Sequence, residues 1–313
     1  MTDPRSAFRF GLPSSLPVAP APGASGRLTR VLSGIVGRQV SWVQSPDYDA
    51  LTEAIRRGEV DAAWAPPLVA ARAEALGARI LARPLRRGSV RSRSALLVRT
   101  DSGLQLETLG GTTAAWVDRA SLAGHLLPMA WLRERGLEPG KLFGQQLFLG
   151  SYQSCIEALL GGEADVAGLF APPEGHDLRQ AVEEVAPGHA GDVRVLACTM
   201  PALHDAWLVA PHVTLPEALR LERGLLSVRE FPEGTALLRD VVRAERLERA
   251  PELGHREVFA RGLTDVTLPL RAEASARTIP WRPATSVPAR CVLSAAEGLS
   301  LSEGPCAPGR SRA

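Results

Sequence analysis

Strand-like and helix-like patterns alternate along most of the chain. Residues 8–13, Phe8-Arg9-Phe10-Gly11-Leu12-Pro13, alternate like a half-buried strand. A Pro/Gly-rich loop leads into a helical stretch over about 26–36 and a strand at 40–43. From Tyr48 onward, Leu51, Ala54 and Ile55 share one helical face, and Gly58 takes the usual position after the helix end. Residues 60–64 predict the next strand. Ala65-Pro66-Pro67 turns into another helix, with proline tolerated in its first turn. A second block starts near Thr100. It holds a buried strand at 112–117, a helix from Ser121 to Gly136, and a strand at 146–149. A helix at 152–160 capped by Ser151 follows, with strands at 165–170, 193–198 and 206–209. Residues 215–247 read as mostly helical, broken near Pro232 and Gly234, with Ala218, Leu221, Leu225 and Val228 in one stripe. Repeated strand–helix–strand units of this size predict an α/β fold with largely parallel sheets.

A length of 313 residues fits about two domains. The 45% of hydrophobic residues supplies two cores and excludes disorder over most of the chain. With 36 basic against 34 acidic residues there is no basic stripe for nucleic acid. No run approaches the roughly 18 apolar residues of a membrane span, so no membrane insertion is expected. Beyond about residue 276 the composition turns to Pro, Ser, Ala and Arg without period, and 276–313 reads as a flexible tail. The first residues carry no leader-like pattern, so the expected compartment is the cytoplasm, or the periplasm if a leader precedes them. Cys155 and Cys198 fall on a predicted helix and strand and read as buried thiols. Cys291 and Cys306 lie in the tail. Their spacing offers no metal site, and no cofactor motif is present: Gly110-Gly111 lacks the Lys-Ser/Thr of a phosphate-binding loop.

The chain echoes itself once. Tyr48-x8-Arg57-Gly58-Glu59-Val60-Asp61-Ala62-Ala63 is similar to Tyr152-x8-Gly161-Gly162-Glu163-Ala164-Asp165-Val166-Ala167. Each copy is a Tyr-led helix, a Gly-Glu turn, and a strand announced by Asp and small residues. One echo is too little for a solenoid and fits two similar α/β lobes. Two unrelated helix–Gly–strand junctions would look the same.

Three motifs in order carry a family likeness. They are Tyr48-Asp49-Ala50-Leu51 with 58–64; Leu109-Gly110-Gly111 leading to 115–124 and Pro128; and Gly150-Ser151-Tyr152 with 162–167. Over roughly 8–245 the chain resembles the substrate-binding proteins of phosphonate/phosphite/phosphate ABC transporters, of the type II periplasmic-binding-protein class. The resemblance implies a two-lobed α/β Venus flytrap with two crossover strands and a ligand between the lobes. Lobe one would hold 1–98 and 206–275 and lobe two 99–205, with crossings near 97–100 and 201–207. It also implies a small-molecule anion as ligand and, for an exported chain, an ABC-transporter permease as partner.

The departures bear on the site. Where the family has adjacent hydroxyls, this chain has Ser121-Leu122-Ala123, leaving Ser121 beside the backbone N–H groups of Ala123 and Gly124. Tyr152 stands where many relatives have His, and Ala65-Pro66 where several have an aromatic residue or Gly. Arg119 is a candidate for a charge-assisted contact, or else a solvated loop arginine. Asp205 falls near an acidic position that faces the amine in aminophosphonate binders. The expected ligand site is thus Ser121, Ala123, Gly124, Ser151, Tyr152, Arg119 and Asp205 with Tyr48 and Ala65, at strand carboxyl ends and helix starts. Trp64 and Trp116 read as core. Two catalytic readings are discounted: His204 and Asp205 are strand neighbours on opposite faces, and Ser121 with His125 and Asp118 lacks a nucleophile elbow. A non-catalytic binding protein, as transporter receptor or intracellular sensor, is the leading reading. The alternative is a cytoplasmic enzyme on the same fold acting on a small anion.

Overall fold

The computed structural model describes residues 7–16, 24–250 and 255. The first half runs β1 (Phe8–Leu12), α1 (Ala24–Val36), β2 (Val40–Gln44), α2 (Tyr48–Arg56), β3 (Ala62–Ala65), α3 (Pro67–Ala75) and β4 (Arg79–Leu85). The second half follows with β5 (Arg91–Arg99), β6 (Thr113–Trp116), α4 (Leu127–Arg133), α5 (Pro139–Leu142), β7 (Gln145–Phe148) and α6 (Tyr152–Leu160). It ends with β8 (Val166–Ala171), α7 (Arg179–Val185), β9 (Val193–Cys198) and β10 (Ala202–Leu203). The chain then returns through β11 (Ala206–Val209), α8 (Leu215–Leu226), α9 (Pro232–Leu237) and β12 (Arg246–Arg249).

These strands form two mixed six-stranded sheets, one per lobe. In the first the order is β12-β4-β11-β3-β1-β2; in the second it is β10-β5-β8-β6-β7, with β9 also on β5. Strands β2, β1 and β3 are mutually parallel, and β11 joins β3 antiparallel. Lobe two repeats this arrangement: β7, β6 and β8 are parallel, and β5 joins β8 antiparallel. In each lobe the antiparallel strand beside the parallel three borders a passage of the chain between lobes.

Burial follows from the period of two. Phe8, Phe10 and Leu12 project from one face of β1 into a core with Trp64, Trp207 and the apolar stripes of α1 and α8. The opposite face packs α2 and α3 through Leu51, Ile55, Leu68 and Val69, together with Leu122 and Leu126 from the other lobe. Lobe two has its own two layers, one under α6 and α7 around Ile156 and Leu159, the other around Trp116, Met129 and Phe143. Cys155 is fully buried and Cys198 half-buried, both as free thiols.

Three expectations change. The first passage, expected near 97–100, comes at residues 86–90, because β5 pairs along its length inside the second sheet. The turn is a tight hairpin: Arg86 and Ser89 exchange backbone bonds, and Arg87 and Gly88 have φ of 51° and 68°. Neither β4 nor β5 is legible beforehand, because arginines and a proline interrupt β4 and arginines and serines interrupt β5. Ser94 is nonetheless fully buried, its hydroxyl donating to the carbonyls of Ala123 and Leu169. Second, the helix expected over 121–136 begins with a π-helical turn at 122–126. Pro128 has no N–H for the Gly124 carbonyl, which accepts from Val117 instead. Third, the stretch read as helix to 247 ends in strand β12, where only Leu247 is buried and charges hide the period. The tail reading for 276–313 lies outside the described residues.

Candidate functional site

A cavity of about 420 Å³ lies between the lobes of the described chain. Helix starts aim at it for local reasons. Asp47 caps α2 by accepting from the Ala50 N–H at 2.7 Å, and Ser151 caps α6 by accepting from Ser154 at 3.0 Å. Each cap puts a tyrosine in the first helical position: Tyr48 from lobe one and Tyr152 from lobe two. The Tyr48 hydroxyl donates to Ser15 Oγ at 2.6 Å. Tyr152 packs edge-on against Phe170. Burial pushes both phenols above their ordinary range, with Ser15 and Ser121 pulling the other way, so both remain protonated hydrogen-bond donors.

The lobes touch at the cavity rim. The Tyr48 backbone N–H donates across to Asp118 Oδ2 at 3.1 Å, and Asp118 Oδ1 accepts from Ala120 at 2.7 Å. Burial raises the Asp118 carboxyl, and these two backbone donors only partly offset it. A lobe-two carboxylate thus occupies the positive end of a lobe-one helix.

The two passages between lobes meet at the same cavity. Arg86, from the first, reaches Asp205 Oδ2 at 3.4 Å and His204 Nδ1 at 3.3 Å on the second, and donates to the Val242 carbonyl. Trp64 Nε1 donates to the same Asp205 oxygen at 3.0 Å. Arginine only donates, so Nδ1 of His204 accepts and the ring proton sits on Nε2. Burial, then Arg86 and Arg87, push the His204 pKa well down, which keeps the ring neutral. The buried His255 supports this wall from behind through its Nε2–H to the His204 carbonyl at 3.0 Å.

Of the expected site residues, Tyr48, Ser121, Ala123, Ser151, Tyr152 and Asp205 line the cavity. Three do not. Ala65 is fully buried in the lobe-one core and paired with Ala206; the prolines after it form the wall. Gly124 is buried behind Ser121, its N–H taken by Ser121 Oγ at 3.1 Å. Arg119 is exposed and lies over the Phe148 ring, 4.3 Å from its centre. Residues missed beforehand are Arg86, His204 and Trp64. Arg86 sits in an arginine-rich stretch with no motif. Trp64 was read as core, which its 2% exposure supports, yet it also lines the cavity.

Both discounted catalytic readings stay without support. His204 and Asp205 meet Arg86 and do not bond each other. The His125 Nδ1–H donates to the Arg119 carbonyl at 2.8 Å rather than engaging Ser121, and burial lowers its pKa to about 4. Among the described residues no cluster of His, Cys, Asp or Glu is placed to hold a metal, and no helix is long and apolar enough to cross a membrane.

Comparison with known proteins places this geometry. The family model of the phosphonate ABC transporter periplasmic substrate-binding protein matches residues 24–251. A binding-protein component of an ABC phosphonate transporter from Pseudomonas aeruginosa is 19% identical, with 82% of this chain and 85% of that one covered at a TM-score of 0.71. PhnD1 from Prochlorococcus marinus, solved with methylphosphonate, is 16% identical over 82% and 97% of the two chains, also at 0.71. A Xanthomonas citri protein bound to ATP is 20% identical over 82% and 95%, at 0.64. Such likenesses show the two-lobed fold.

Proposed function

This chain belongs to the phosphonate-binding family of ABC-transporter periplasmic substrate-binding proteins, and we propose that its interlobe cavity captures a small organic anion of the phosphonate or phosphate class. It is a small-molecule-binding protein on the two-lobed fold, and neither the family nor its structural relatives lend weight to the enzyme alternative.

One observation carries the reading. The lobe-two hydroxyls of Ser121, Ser151 and Tyr152 converge on one cavity at the capped start of α6, facing the Tyr48 wall of lobe one. Helix starts favour negative charge, and protonated phenols add neutral donors without adding charge. Every described bond to Asp205 falls on Oδ2, so Oδ1 is open to a ligand amine or hydroxyl. Ser121→Ala with Tyr152→Phe is expected to weaken binding of a phosphonate by about 0.5–1.5 kcal/mol per lost bond. Calorimetric titration with an unchanged dissociation constant in the folded double mutant would remove the proposal.

Delivery to a permease and intracellular sensing make different demands. A permease partner requires the chain outside the cytoplasmic membrane, whereas the cytoplasmic location proposed from the sequence fits a sensor. Fractionating the native host, with detection of the mature chain, separates the two.

A further inference from the structure

The cavity is larger and more apolar than a small oxyanion needs. Its walls include Leu16, Trp64, Leu122, Phe170, Leu203 and Val242. Methylphosphonate, roughly four water volumes of ~30 Å³ each, fills well under half of such a space. The full 420 Å³ lies in the range of pockets that bury much larger organic ligands.

The charges point the same way. Three arginines and three carboxylates line the cavity. Arg86 is paired with Asp205, and Arg87 and Arg243 both with Glu184. Asp240 is paired outward with Arg27 and Arg239. No lining arginine is left without a carboxylate. A bare oxyanion would give up its hydration for hydroxyls and backbone N–H groups alone, an incomplete exchange. A ligand that also buries apolar surface has a second source of affinity.

Building on the phosphonate reading, we infer that the ligand is an organophosphonate bearing an apolar substituent of about six or more carbons. The head group meets the hydroxyls of Ser121, Ser151 and Tyr152, and the substituent lies along the Trp64, Phe170 and Leu203 walls.

The test is calorimetric titration of the full chain with methylphosphonate, hexylphosphonate and hexanamide. Each buried methylene tightens binding about fourfold, so after the cost of ordering the chain hexylphosphonate is expected to bind at least about 100-fold more tightly than methylphosphonate. Hexanamide, lacking the anion, is expected to bind far more weakly than hexylphosphonate. Equal affinity for methyl- and hexylphosphonate would overturn this inference and leave the anion reading standing. Equal affinity for hexylphosphonate and hexanamide would overturn the anion reading, and with it the organophosphonate assignment, leaving only an apolar cavity. No binding of either phosphonate would overturn both.

Discussion

Gly124 shows at the scale of one residue why a motif position is not the same as a contact. A Cβ there would sit 2.7 Å from Val117 Cγ2 and 2.8 Å from Ser121 Oγ. The glycine makes room so that Ser121 can fold back and cap the turn. Gly124→Ala is therefore expected to destabilise the fold by about 1–3 kcal/mol, the usual scale of overpacking, measured by urea denaturation. A variant as stable as the parent would contradict this. His255 acts on stability through pH. Burial, with Arg83 nearby, lowers its pKa to about 4. Unfolded histidine titrates near 6.5, so between those values the unfolded chain binds the proton and the folded chain does not. Stability from this group is complete above pH ~6.5 and falls by about 3 kcal/mol as pH drops to ~4. Buried His204, also lowered, acts in the same direction. Asp118, raised by burial, acts oppositely and only at acid pH near its own titration. Thermal melts are expected to drop from pH 7 to 4.5, with His255→Gln flattening part of the drop. A flat parental profile would count against it.

At the scale of elements, the internal echo is a repeated piece of hydrogen bonding. Asp61 accepts from the Arg9 backbone N–H at 2.8 Å, and Asp165 accepts from the Thr113 backbone N–H at 2.9 Å. In both lobes the aspartate stands just before β3 or β8 and ties it to the start of the neighbouring parallel strand, β1 or β6. Gly58 and Gly162 precede it with φ of 66° and 78°, the left-handed turn that ends each helix. The echo was legible because such a turn restricts residue type and spacing together. The copies differ in charge. Asp61 also accepts from the Arg9 guanidinium at 2.9 Å and from His212 at 2.9 Å. Burial alone would raise its carboxyl, but these partners bring it below the ordinary range. Asp61→Ala is expected to cost about 2–3 kcal/mol and Asp165→Ala about 1 kcal/mol by urea denaturation. Equal losses would show that the side-chain partners of Asp61 contribute nothing.

For the whole molecule, the contacts across the mouth matter most. Arg87 and Arg243 are the only described non-glycine residues with φ in the left-handed region, both at 51°, and both direct their guanidinium groups at Glu184. Arg87 sits on the first passage, Arg243 on lobe one and Glu184 on α7 of lobe two. The carboxylate therefore bridges the parts that separate when a two-lobed protein of this kind opens. Partly exposed ion pairs contribute little singly, about 0.2–1 kcal/mol. Glu184→Gln is accordingly expected to raise the open population of the ligand-free protein about 2–10-fold, with little change in thermal stability. Small-angle scattering of the ligand-free variant should show a larger radius of gyration. An unaltered radius would exclude the bridge as a closing contact.

What the chain order determined by itself was local. Capped helix starts, glycine-ended helices and parallel strands of small apolar residues are written in contiguous spacing, so the two lobes and the tyrosines at their helix starts are legible. Of the six expected site residues that line the cavity, all but Asp205 lie at helix starts, and a position at a helix start is a local property. Tertiary structure decided the rest. Arg86 and Asp205 lie 119 residues apart and meet only because the two passages run side by side. Arg119, two residues from a cavity wall in sequence, and Ala65, next to two, are turned away by an aromatic ring and by a sheet pairing respectively. Which charges neutralise one another inside the cavity depends on through-space distance, which no spacing along a single chain encodes.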